Sequence, residues 1–135
     1  MIFVDTNVLV ALVDPRDGLH GQACAEIARL VRVALFTVTP VLTEAYFALP
    51  AAYQRARLRE VIEALPIRPW AMEKVETLWP EVMTWLGKFA AHEPDVADGF
   101  LAVLAGRNRQ AKIWTYDREF RTVWRRPDGT KIPVA

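Results

Sequence analysis

The chain has 135 residues, 53% of them hydrophobic and 24% charged, with a net charge of +1. That length suits one domain with one core, the composition excludes a disordered segment, and the near-neutral balance excludes a uniformly basic coat for nucleic acid. A single cysteine, Cys24, makes no intrachain disulfide and points to a reducing, cytoplasmic setting; the apolar N-terminal run is broken at Asp5 with no basic residue before it, so neither a signal peptide nor a membrane span is expected.

Ile2–Val4 is short and apolar throughout, as in a buried parallel strand, and Asn7–Val13 has the length of a helix. Asp17 can cap a second helix that runs to about Arg32, with Ala23, Ile27, Leu30 and Val31 at helical spacing. A second strand is expected over Ala34–Val38. Thr39-Pro40 then signals a helix start, with Thr39 as cap and Pro40 at the first position. This third helix places Leu42, Ala45, Tyr46 and Leu49 on one side, carries Glu44 and stops before Pro50. A fourth helix spans Arg55–Leu65, with Leu58, Val61, Ile62 and Leu65 inward, and Ile67–Pro69 suits a short edge strand. Met72–Trp79 and Glu81–Ala91 read as two helical pieces broken at Pro80. Asp95–Ala105 is helical, with Val96, Ala97, Phe100, Leu101 and Leu104 as its apolar face. Lys112–Thr115 is a strand, and Thr122–Arg126 and Lys131–Val134 flank a hairpin-like turn at Pro127–Thr130.

Strands alternating with helices imply an α/β domain, with a mainly parallel sheet covered on both faces. Sites in such folds form at the carboxyl ends of strands, near a switch in strand order. Asp5 follows the first strand, Glu44 lies in the helix after the second, and Asp117 follows the Lys112–Thr115 strand. Asp95 and Asp98 are three apart on one helix, with Asp98 at the border of its apolar face. Carboxylates gathered together raise one another's pKa unless a cation intervenes. A hard divalent ion with oxygen ligands, Mg²⁺ above all, resolves that repulsion and can activate water against a phosphodiester. With only His20, His92 and Cys24 as nitrogen or sulfur ligands, zinc is not expected. Taken singly, each acid also has a plain structural reading. Asp5 and Asp95 suit helix caps, Glu44 a solvated helix position, Asp98 an arginine partner and Asp117 a turn. Their joint placement is what points to a site. The charge is also uneven: residues 107–131 carry a balance of +5, the first 106 residues −4. An acidic body with a basic C-terminal portion suits a cation site with a phosphate-contacting rim, or simply a solvated tail.

The stretches FVDTNVLVALVDPRDGLH, TPVLTEAYFAL, PDVADGFLAVLAG and IWTYDREF, in that order over nearly the whole chain, resemble the PIN domain family and, within it, the VapC-type toxins of type II toxin–antitoxin pairs. The resemblance implies a three-layer α/β/α fold and a Mg²⁺- or Mn²⁺-dependent endoribonuclease acting through a metal-activated water. Asp5, Glu44, Asp98 and Asp117 match the family's catalytic acids, Asp5 and Asp98 as metal contacts, and Asp95 a frequent upstream companion. Thr6, Asn7 and Thr115 are expected to orient carboxylates and waters, and Arg118 and Arg121 to meet the RNA backbone. Gly99 stands where alanine is common, and Glu119 where a second aspartate often stands. The resemblance further implies a homodimer and an antitoxin covering the active-site groove.

Two other readings compete. A haloacid dehalogenase-type phosphatase also puts an aspartate after the first strand, but needs Asp-x-Asp where this chain has Asp5 and Asn7. A catalytically inactive binding module would use the apolar side chains of the middle region, Trp70, Met72, Trp79, Met83, Trp85 and Phe89, on a partner or in the core.

Overall fold

The computed structural model describes residues 1–30, 32–71 and 75–135, with backbone alone at 75–77. The expectations for Val31 and Met72 lie outside the described residues. Four strands, β1 (Ile2–Val4), β2 (Leu35–Thr37), β3 (Arg68–Pro69) and β4 (Lys112–Trp114), form a sheet of order β3-β2-β1-β4. Every pairing is parallel, with Phe3 opposite Phe36 and Ile113, and Phe36 opposite Arg68. The central strands are short runs of β-branched and aromatic residues, and β1 is buried along its whole length. Pro69 is tolerated because β3 is the edge.

The helices are α1 (Thr6–Val13), α2 (His20–Leu30), α3 (Thr39–Ala48), α4 (Ala52–Ala64), α5 (Val75–Lys88), α6 (Val96–Arg107) and α7 (Glu119–Thr122). α1 packs on α2, α3 and α4, while α6 packs on α5, α3 and β4. α1 and α6 are the innermost helices: Val8, Leu9, Ala11 and Leu12 of one, and Ala97 and Phe100–Ala105 of the other, are buried. No described helix is long and apolar enough to cross a membrane.

Several boundaries differ from the sequence expectations. Pro80 does not break a helix: α5 runs through it. A proline removes one backbone donor, and burial of Leu78, Val82 and Trp85 against the core holds the turn around it. Thr39 is the first residue of α3 and not its cap; Val38 holds the cap position without a side-chain bond. Asp17 does not cap α2 directly. Its carboxylate accepts from Leu19 N–H and its carbonyl from His20 N–H, shaping the loop before the helix. α4 starts at Ala52, where the Gln54 side chain accepts the Ala51 N–H. Val96 is 48% exposed, since α6 turns that side outward in its first turn. Thr122 closes α7, and the C-terminal turn is pinned by a single antiparallel bridge, Arg125 to Lys131. Trp85 is core, whereas Trp79 and Met83 are half exposed.

Candidate active site

All four strands run the same way, so β1, β2 and β4 deliver their following residues to one edge of the sheet. β1 lies between β2 and β4, where the chain order switches sides, which is where α/β folds open a crevice. Asp5 is the residue there. It is 4% exposed and caps α1, its Oδ1 accepting the Thr6 N–H at 2.7 Å. Its Oδ2 accepts from the Asn7 amide at 3.0 Å and from the Thr115 hydroxyl at 2.6 Å. One side chain therefore both caps α1 and faces the crevice.

Thr115 and Asn7 tie β4 to α1. Thr115 Oγ1, besides donating to Asp5, accepts from the Asn7 amide at 3.2 Å and from Asp117 N–H at 3.0 Å. The Asn7 Oδ1 accepts the Tyr116 N–H at 3.0 Å. Asp117 Oδ1 in turn accepts the Glu119 N–H at 2.8 Å, which starts α7. Thr6 works on the other side: its hydroxyl donates to Glu44 Oε2 at 2.8 Å and fixes that carboxylate on α3. Asp98, in the first turn of α6, accepts the N–H of its cap residue Asp95 at 3.0 Å.

One cavity of about 440 Å³ is lined by Asp5, Asp17, Glu44, Glu93, Asp95, Asp98, Asp117 and Glu119, and by no basic side chain among the described residues. The electrostatic result is direct. Burial, then the charges of Asp5, Asp117 and Asp95, push the Asp98 carboxyl up to about 8, against the lowering effect of the Asp95 N–H bond. Burial also raises Asp5, with Asp117 adding to it, although the bonds from Thr115, Thr6 and Asn7 pull it down. Glu44 is raised by burial and by Asp95 and Asp5. Such repulsion is what a bound cation relieves. Among the described residues, no group of three His, Cys, Asp or Glu side chains stands positioned to hold an ion as it lies. Asp5, Glu44 and Asp98 each turn an oxygen to a partner of their own. A second cavity, about 240 Å³ and lined by Pro80, Thr84, Trp85 and Pro127, shares no residue with the first.

The structure thus brings Asp5, Thr6, Asn7, Glu44, Asp95, Asp98 and Asp117 into one cavity wall, with Thr115 directly behind Asp5. Arg118 and Arg121 are exposed on and beside α7 and are not part of the wall. Sequence reasoning gave Asp17 only a capping part and gave Glu93 none. Glu93 reaches the wall through a left-handed backbone turn, φ +52°, that no local pattern announces. It also passed over Glu26 on α2, whose Oε2 accepts from both Trp114 Nε1 and the Tyr116 hydroxyl at 2.8 Å.

Comparison with known proteins bears on the family and the fold. Searching curated proteins gives no match. Among solved structures, the chain is similar to VapC20 of Mycobacterium tuberculosis, described as a sarcin–ricin loop cleaving toxin. The TM-score is 0.74 and the identity 22%, covering 90% of this chain and 93% of that one. It is also similar to FitAcB from Neisseria gonorrhoeae, with a TM-score of 0.57 and 22% identity, covering 87% and 88% respectively. At such identity the likeness speaks for the fold. A family model, described as the PIN domain, matches residues 2–125. That span takes in every strand and the whole acidic wall, and the chain belongs to the PIN domain family.

Proposed function

We propose that this chain is a divalent-metal-dependent endoribonuclease, the toxin of a type II toxin–antitoxin pair, hydrolysing RNA phosphodiesters. The observation that carries the reading is the cavity wall with eight acids and no base among its described residues, with Asp98 held near 8. The likeness in fold to a toxin that cleaves the sarcin–ricin loop supports it.

The donor set fits a hard cation: carboxylate oxygens, with Asp5 buried and Glu44, Asp98 and Asp117 half-buried, excess negative charge, and no nitrogen or sulfur ligand among the described residues of the wall. Asp5 and Asp98 would hold Mg²⁺ or Mn²⁺, with Glu44 and Asp117 beside them. When bound, such an ion supplies an acidified water and offsets charge developing at phosphorus. The remaining work falls to the chain. Asn7, Thr6 and Thr115 fix the Asp5 carboxylate from three directions, so it need not reorganise during reaction. Asp98, whose crowded setting favours its proton, would have to release it to serve as a ligand. An uncompensated wall of carboxylates repels a phosphate backbone, and a bound cation would offset that repulsion. Arg118 and Arg121, exposed next to Asp117 and Glu119, would meet that backbone outside the wall. The same mouth would admit an antitoxin segment, and the protein would act in the cytoplasm as a homodimer.

The test is cleavage of total RNA by wild type and Asp5→Asn in Mg²⁺, Mn²⁺ or EDTA, with the cut ends mapped. Wild type cuts only with metal, and Asp5→Asn loses at least ~100-fold in rate while keeping its circular dichroism spectrum. Equal rates in the two proteins overturn the assignment of Asp5. Folded wild type that cuts nothing in any metal favours the inactive binding module.

A further inference from the structure

Helix α2 is thinly anchored by apolar contact. Ala23 and Leu30 are its buried residues, with Ile27 packed beside them. Its polar anchors are the His20 ring, which meets the Ala11 carbonyl of α1 at 2.7 Å, and Glu26, which meets the end of β4. Oε2 of that carboxylate accepts the Trp114 indole N–H and the Tyr116 hydroxyl, both at 2.8 Å, and Oε1 accepts from Gln22 at 3.2 Å. Trp114 ends β4 and Tyr116 follows two residues later, so the two donors bracket Thr115. Alternation along an extended chain sends Trp114 and Tyr116 one way and Thr115 the other. On that other side, the Thr115 hydroxyl holds Asp5 and receives the Asp117 N–H, while the Tyr116 N–H holds Asn7.

We propose that Glu26 is a positioning residue for the acidic cavity: by gripping Trp114 and Tyr116 from α2, it fixes the turn that carries Thr115 and Asp117 and so sets the placement of Asp117 against Asp5. Glu26 itself is not part of the cavity wall and acts only through its two donors. The link is short, since one hydrogen bond separates Glu26 from Tyr116 and one more separates Tyr116 from Asn7. The inference rests on the nuclease reading only where metal affinity is concerned.

The experiment compares wild type, Glu26→Ala, Glu26→Gln, Tyr116→Phe and Arg126→Met, the last loosening the C-terminal turn at the opposite end of α6 from Asp98. Two readouts are taken without RNA: amide hydrogen exchange over residues 114–119, and Mn²⁺ binding followed by the loss of the free-ion electron paramagnetic resonance signal. Glu26→Ala is expected to speed exchange at Tyr116 and Asp117 and to weaken Mn²⁺ half-saturation about tenfold, as loss of an outer hydrogen-bond partner does at metal sites. Tyr116→Phe shifts both in the same direction by less. Glu26→Gln, which keeps an acceptor oxygen, recovers most of both, and Arg126→Met moves neither despite its lower melting temperature. Unchanged exchange in Glu26→Ala overturns the proposal, and so does faster exchange with Mn²⁺ affinity intact. Wild type that binds no Mn²⁺ and cuts no RNA overturns the nuclease reading, and exchange alone then decides whether Glu26 fixes the turn.

Discussion

Helix α6 has a charged group seated at each end, and the two ends are built on opposite plans. At its C-terminus, Arg126 is 8% exposed and gives its donors to neutral acceptors: the carbonyls of Ala105 and Arg109 at 3.0 Å and the Thr130 hydroxyl. A cation there meets the negative end of the helix and satisfies carbonyls that the helix leaves open. At its N-terminus, Asp98 meets the positive end and accepts one N–H, which favours a single carboxylate equally well. What differs is the company. Arg126 shares the Thr130 hydroxyl with the Arg109 guanidinium, whose charge Asp128 answers, whereas Asp98 faces Asp5, Asp95 and Asp117. Hydrogen bonding does not distinguish the two ends, because both charges are satisfied; the presence of an opposite charge among the neighbours does.

The comparison is most open to attack through pH. The Asp98 carboxyl ordinarily ionises at 3.8 and in the folded chain near 8, so between those values the folded state keeps a proton that the unfolded state has lost. Stability without metal therefore falls as pH rises through that window, and Asp5 and Glu44, also raised, add to the fall. Melting curves in EDTA from pH 5.5 to 8.5 should show it. Mn²⁺ should restore the loss at the alkaline end by binding only the folded form. Asp98→Asn should flatten the profile and raise the melting temperature at pH 8 while abolishing RNA cleavage. A lower melting temperature for that variant at pH 8 would show that the acids do not repel.

A smaller effect is expected at the other end. Arg126→Met leaves the Ala105 and Arg109 carbonyls without their donors and should cost about 2 kcal/mol, roughly 7 °C in a domain this size. The loss should be the same at pH 6 and pH 8, and RNA cleavage well below the melting temperature should be unaffected. A metal-dependent loss would merge the two ends into one system. The least effect is expected between them. A Cβ on Gly99 would lie 3.1 Å from a Val82 methyl and 3.2 Å from one of Leu86, tight contacts with side-chain ends that can give by a few tenths of an ångström. Against that stands a helix-propensity gain of about 1 kcal/mol. Gly99→Ala should therefore leave the melting temperature within about 3 °C of wild type. A larger drop would mean that the α5–α6 seam is rigid and sets the height of Asp98.

The parts of this layout that were legible in the sequence are those written in local pattern. Ile2–Val4 is a short apolar run and Lys112–Thr115 a short β-branched and aromatic one behind an exposed lysine, both suited to a parallel sheet, and Asp5 and Asp117 come one and two residues after them. Asp98 borders an apolar helical stripe, which aims it inward. The parts that were not legible depend on distant contacts. Pro80 reads locally as a break, and only packing of Leu78, Val82 and Trp85 keeps α5 continuous. The grip of Glu26 on Tyr116 joins residues 90 positions apart, and nothing near either announces the other. Glu93 enters the cavity through a backbone conformation that few residues other than glycine and asparagine signal. Thr39 carries the residue type of a cap, yet the extended Val38 before it takes that place.

The sheet's two margins have a consequence for how this protein can meet others. On the β4 side, the final residues lie alongside the strand: Ile113 N–H donates to Pro133, and Ala135 N–H donates back to Ile113. On the other side, β3 is two residues long and one of them is Pro69. Neither margin offers the row of open amides and carbonyls that templates strand addition. Association through the sheet is thereby disfavoured in every register, for productive partners and for aggregation alike. Recognition is left to helix faces and to the mouth of the acidic cavity, where shape and charge can select.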